Sequence, residues 1–137
     1  MFSALKNSLD QLEIQYAESD NLKIMCTAHN GIEVPCFISE PAEFGDHLVT
    51  EFWAIADLLA PSEALELEHY EDLLKETCTW PLGAWCLRNM ADGLGLCFSI
   101  KLLNKDENLS PEKIQLALNG VSHVVAGMQE AMGMLED

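Results

Sequence analysis

The stretch from Leu22 to Ile38 constrains this chain more than any other. Leu22, Ile24, Cys26 and Ala28 alternate with Lys23, Met25 and Thr27. Ile32, Val34, Cys36 and Ile38 repeat the alternation beyond His29-Asn30-Gly31. A period of two marks a strand with one buried face. The turn then decides the register. A two-residue Asn-Gly turn would pair His29 with Ile32 and send the two apolar sets to opposite faces. A three-residue loop with Gly31 in the left-handed conformation pairs Ala28 with Ile32, Cys26 with Val34, Ile24 with Cys36 and Leu22 with Ile38. The sequence therefore predicts a hairpin with a three-residue loop and a bulge. Pro35 has no backbone donor and points to an edge or a bulge near its strand.

The rest of the chain adds elements on either side. Phe2, Leu5, Leu9 and Leu12 recur at steps of three, four and three, which is one helical face, with Ser3 as a candidate N-cap. The polar stretch 17–21 ends that helix, and 40–46, with Pro41 and Gly45, reads as a loop. Over His47 to Leu59 two patterns compete. Phe52, Ile55 and Leu59 fit a helical face, whereas Val49, Thr50, Trp53 and Ile55 suit a strand; a third strand over about Leu48 to Ala56 is predicted. Pro61-Ser62 opens a helix to about Lys75, with Leu67, Tyr70, Leu73 and Leu74 inward and acidic residues outward. Trp80-Pro81-Leu82-Gly83 breaks it. Ala84 to Arg88 reads as a short strand, Ala91-Asp92-Gly93 as a turn, and Leu94 to Leu102 as a half-buried strand.

A last helix begins at Ser110-Pro111-Glu112, a cap, a first-turn proline and a first-turn acid. Its seam of Ile114, Leu118, Val121, Val125, Met128, Met132 and Leu135 runs at alternating steps of four and three. A second stripe of small or branched residues, Ala117, Gly120, Val124, Gly127 and Ala131, admits close approach of a neighbouring backbone. The expected fold is α+β in the order α-β-β-β-α-β-β-α: an antiparallel five-stranded sheet with helices on one face, in one domain over residues 1–137.

Charge narrows the functions. Twenty-three acids face seven bases across 137 residues, a formal charge of −16. Such a surface repels phosphate backbones, which argues against nucleic-acid partners. No apolar run reaches the length of a membrane helix, and the start lacks a signal-peptide pattern, so a cytoplasmic address without membrane insertion is expected. The five cysteines Cys26, Cys36, Cys78, Cys86 and Cys97 are odd in number and contain no C-x-x-C pair, as expected for reduced thiols. His29, His47, His69 and His123 show no metal-ligand spacing, and the acids from Glu63 to Glu76 lack the turn glycine of a calcium loop. No nucleophile elbow or phosphate loop is present. The reading is a non-enzyme with no catalytic, metal or cofactor residues.

The element order resembles the type III secretion chaperone-like fold, shared by secretion chaperones and YbjN-type proteins. The hairpin Leu22–Ile38 carries the resemblance, with the helix ending Asp72-Leu73-Leu74-Lys75, the strand pair Ala84–Leu102 and the long helix Ser110–Leu135. The stretch from His47 through Pro81-Leu82 is also similar to the YjfI family, whose members look related to the same fold. The resemblance implies a homodimer that binds an extended segment of a partner protein without chemistry. Gly120, Val124, Gly127 and Ala131, with Trp80 at the helix break, are the candidate dimer or partner surface. The alternatives are an accessory protein of a stress or envelope-related operon, or a small thiol-dependent enzyme.

Overall fold

A computed structural model of the chain describes residues 2–59, 75, 77, 82–91, 93–106 and 108–131. Chain order in these segments is α1 (Ser3–Gln11), β1 (Ala17–Glu18), β2 (Leu22–Thr27), β3 (Glu33–Ile38), β4 (Ala42–Phe44), β5 (His47–Leu59), β6 (Ala84–Met90), β7 (Gly93–Asn104) and α2 (Pro111–Ala131). The class is α+β, and every strand pairing is antiparallel. The strands lie in the order β1-β2-β3-β5-β7-β6, and β4 also pairs with β5. The helix predicted from Ser62 to Lys75, except for Lys75 itself, and Trp80 with Pro81 of the predicted break lie outside the described residues.

The hairpin adopts the predicted register. Leu22 faces Ile38, Ile24 faces Cys36 and Cys26 faces Val34. Ala28 N–H donates to the Ile32 carbonyl at 2.8 Å, and Gly31 has φ +84°. The Asn30 side chain accepts from Ile32 N–H at 3.2 Å. Pro35 sits one residue beyond Cys36–Ile38, the stretch that pairs β3 with β5. On β5 the register slips between Ile55 and Asp57. That bulge leaves the Ala56 carbonyl to accept from the α2 residue Gln129 at 3.1 Å.

The expected five strands become seven among the described residues. The two additions are β1, inside the stretch read as a polar terminator, and β4, inside the stretch read as a loop. They hold two and three residues, all exposed. Elements this short show no alternation, and pairing with β2 and β5 defines them. The third strand is also longer than predicted, because β5 pairs with β3 and β4 on one side and with β7 on the other.

One face of the sheet forms the core. Leu22, Ile24, Val34, Cys36, Ile38, Phe52, Ala54, Phe98 and Ile100 are buried there. The helix α2 crosses β2, β3, β5 and β7 on this side, and α1 packs beside it. Ile114, Leu118, Val121 and Val125 of the predicted seam are fully buried, and Met128 packs partly against them. Ser110 caps α2 by accepting from Lys113 N–H at 3.3 Å.

In α1, Phe2, Leu5 and Leu9 are buried as predicted. Ser3 is its first residue and Phe2 holds the cap position, with no side-chain cap bond. The helix stops in a Schellman motif: Ile14 N–H donates to the Leu9 carbonyl at 3.0 Å and Glu13 N–H to the Asp10 carbonyl at 3.1 Å. The residue required to be left-handed is Glu13, at φ +58°. A side chain there costs about 1 kcal/mol. Glu13→Gly is therefore expected to raise stability by about 0.5–1 kcal/mol in urea unfolding. A loss of stability would show that the Glu13 side chain contributes more than its backbone costs.

Candidate functional site: the outer face of the sheet

The same period of two that sends Phe52 and Ala54 inward sends Val49, Glu51, Trp53 and Ile55 to the opposite face of β5. Across on β7 their partners are Leu103, Lys101, Ser99 and Cys97. Ala84, Cys86 and Arg88 of β6 continue this face on one side, since Ala84 faces Ser99 and Cys86 faces Cys97. Phe37 of β3 continues it on the other side, opposite Trp53.

A polar and aromatic cluster occupies the middle. The Trp53 indole stacks on Phe37 with centroids 4.6 Å apart, and the Arg88 guanidinium lies over the Trp53 ring, 4.2 Å from its centroid. Trp53 Nε1 donates to Ser39 Oγ at 3.0 Å. Glu51 is the hub: Ser99 Oγ donates to its carboxylate at 2.6 Å, and Arg88 Nη2 forms an ion pair with the same oxygen. Glu51 and Arg88 side chains retain 18 % and 28 % of their exposure, so this pair is better shielded than an ordinary surface bridge.

Partial burial alone would raise the Glu51 carboxyl. The Ser99 hydrogen bond, the Arg88 contact and the Lys101 charge outweigh it and hold the carboxyl below its ordinary 4.5. A lowered carboxylate stabilises the fold fully above its ordinary value, and this contribution is lost as pH falls through the folded value. Glu51→Gln is therefore expected to cost about 1–3 kcal/mol at neutral pH. The gap to the parent protein should close as the pH drops below 4.5. Denaturation curves across that range check the sign; a gap that stays constant in acid would remove the charge from the explanation.

Two open cavities flank this hub. One, of about 240 Å³, is lined by Glu51, Gly83, Ala84, Cys86, Ser99 and Lys101. The other, of about 580 Å³, is bounded by Ser39, Glu40, Ala42, Glu43, Phe44, Val49 and Leu103, and shares Glu51 and Lys101 with the first. Phe44 and Leu103 are 68 % and 53 % exposed at its margin.

The thiols show the opposite of nucleophile activation at three of the four described positions. Burial pushes Cys97 up to about 12 and also raises Cys86. A hydrogen bond with Cys26, together with burial, raises Cys36. The same hydrogen bond lowers Cys26, so its neighbour there is a thiol and not a cation or base. Cys78 lies outside the described residues. Among the described residues, no group of three His, Cys, Asp or Glu is placed to hold a metal. The rings of His29 and His123, separated by 94 positions in sequence, nevertheless meet edge to face at 4.8 Å, a contact that no local spacing signals.

The helix stripe is divided. Ala117 is buried in the core. A Cβ on Gly120 would lie 3.0 Å from Ile100 Cδ1, so the close neighbour at Gly120 is the chain's own sheet. Val124 packs partly on the core, while Gly127 has nothing among the described residues within 4 Å of an added Cβ and Ala131 is exposed. Trp80 lies outside the described residues. Sequence reasoning passes over the outer-face hub because Glu51, Arg88 and Ser99 are distant in the chain. The available signal is the alternation itself, which puts Glu51 and Trp53 on one face.

No helix among the described residues is long and apolar enough to cross a membrane. No protein-family model matches the chain, and no curated protein matches it by sequence. Among solved structures it is similar to YbjN from E. coli, a protein proposed to be a transcription regulator. The TM-score is 0.60 at 15 % identity, covering 96 % of this chain and 92 % of that one. The chain thus has a YbjN-like α+β fold, an antiparallel sheet carrying its helices.

Proposed function

We propose that the chain is a non-enzymatic protein-binding module, chaperone-like in action, that works as a homodimer and engages a segment of a partner protein. The observation that carries this reading is the apolar margin of the outer face, where Phe44 and Leu103 stand exposed beside an open groove. Large apolar side chains grouped around a concave surface are a common mark of a protein interface. Burial holds the Cys86 and Cys97 thiols up, which counts against these two as nucleophiles. The YbjN-like fold suits a regulatory role, and a charge of −16 favours exerting it through protein contacts over DNA phosphates.

For the dimer contact, Gly127 and Ala131 form the end of the α2 stripe that no described residue covers closely. Light scattering coupled to size exclusion should give twice the 15.2 kDa chain mass. Gly127→Leu should shift that species to monomer. Its unfolding temperature should hold or rise, since interior glycine costs a helix up to about 1 kcal/mol and no described residue lies within 4 Å of an added Cβ. A native protein that runs as a monomer at every concentration would remove the homodimer. A dimer indifferent to Gly127→Leu would move the contact elsewhere.

A further inference from the structure

The larger groove on the outer face has a chemistry of its own. Its apolar side is Ala42, Phe44, Val49 and Leu103, contributed by β4, β5 and β7. Glu40 and Glu43 stand exposed on its rim, and neither has an ion-pair partner among the described residues. Glu51 at the inner end is already committed to Arg88 and Ser99. The single lysine lining the groove, Lys101, sits directly across from Glu51. With Glu40, Glu43 and Glu51 against Lys101, the lining of the groove is negative. The charge of the whole chain, −16, has the same sign and would draw a cationic partner toward this surface.

We infer that this groove takes a short segment of a partner protein in which basic and apolar side chains alternate. Its lysine or arginine groups meet Glu40 and Glu43, and its apolar groups lie against Phe44 and Leu103. An extended segment suits the site because successive side chains of a strand point to opposite sides, one set into the groove and one along its rim. This assignment rests on the protein-binding reading above and adds the chemistry of the partner.

The test uses fluorescent peptides of about eight residues, roughly 26 Å when extended. One alternates lysine with leucine, a second glutamate with leucine, and a third lysine with serine. Fluorescence anisotropy against the full chain should show binding of the lysine-leucine peptide alone, weakening as salt rises. Phe44→Ser and the double change Glu40→Gln, Glu43→Gln should each weaken it by about tenfold or more. Asp10→Gln with Glu112→Gln, which removes two exposed carboxylates from the helices, should leave it within about twofold. Equal losses from both carboxylate pairs would overturn the groove in favour of the general acidic field. Binding of the glutamate-leucine peptide that is lost in Phe44→Ser would overturn the basic partner and preserve the protein-binding face. Binding of no peptide, or binding insensitive to Phe44→Ser, would overturn the groove as the seat of the interaction.

Discussion

Phe52→Ala is expected to lower the unfolding free energy by about 3–5 kcal/mol, a large share of the 5–15 kcal/mol typical of a domain. Phe52 is fully buried at the centre of the sheet. It stands opposite Ile38 on one side and Ile100 on the other, on the face crossed by α2. Removing the ring exposes no new surface that water can use; it leaves a void lined by aliphatic groups, and the lost dispersion contacts add to the lost transfer energy. The midpoint of urea unfolding should fall with the slope unchanged. Leu116→Ala is the matched comparison, because Leu116 lies on α2 but is 69 % exposed. Its cost should stay within about 0.5 kcal/mol. Similar losses at both sites would mean that α2 does not pack on the sheet through the Ile114-Leu118-Val121-Val125 seam.

Gly83→Ala is expected to be nearly as severe, at about 3 kcal/mol or more. Gly83 immediately precedes β6 and has φ +94°, a conformation that side chains adopt only under strain. An added Cβ would lie 2.8 Å from the Ser99 carbonyl oxygen, 2.8 Å from Phe98 Cζ and 2.9 Å from Ile100 Cγ1. One of these is backbone within the β6–β7 ladder and the others belong to packed side chains, so none yields without disturbing the core. Gly31→Ala separates the two contributions. Gly31 has φ +84° but nothing among the described residues within 4 Å of an added Cβ. It should cost only the backbone part, about 1–2 kcal/mol. Thermal unfolding of the two variants side by side checks the order; Gly31→Ala as harmful as Gly83→Ala would leave backbone strain as the whole effect.

The parts of the fold that could be read in advance are those where two local rules agree. In the Leu22–Ile38 hairpin, the alternation and the left-handed demand at Gly31 select one register, and the strands adopt it. At the start of α2, Ser110, Pro111 and the seam agree on where the helix begins. Where local rules conflict, tertiary pairing decides. Phe52, Ile55 and Leu59 fit a helical face, yet β5 pairs with β7 from Leu48 to Leu59, and with β4 and β3 on its other side at 47–49 and 52–54. The strands β1 and β4 carry no pattern because they are too short to alternate.

The candidate site was less legible for a related reason. Glu51 is 37 residues from Arg88 and 48 from Ser99, so register, and not spacing, brings them together. The small-residue stripe on α2 signals a close neighbour, and at Gly120 there is one, Ile100 of the same chain. Sequence reveals that a backbone can be approached closely but not which surface does so. Phe44 falls in a stretch whose Pro41 and Gly45 read as a loop, which hides its place on the sheet and its position beside Leu103.

The proposed function seats a partner protein on the outer face of the sheet, opposite the helices. Hydroxyl-radical footprinting of the native chain, alone and with the lysine-leucine peptide at saturation, tests it at the level of residues. Phe44 and Leu103 should be oxidised readily in the free protein and protected when the peptide is present, while the exposed Leu116 on α2 should react equally in both. Protection of Leu116 with Phe44 and Leu103 unchanged would place the partner on the helices and rule out the outer face.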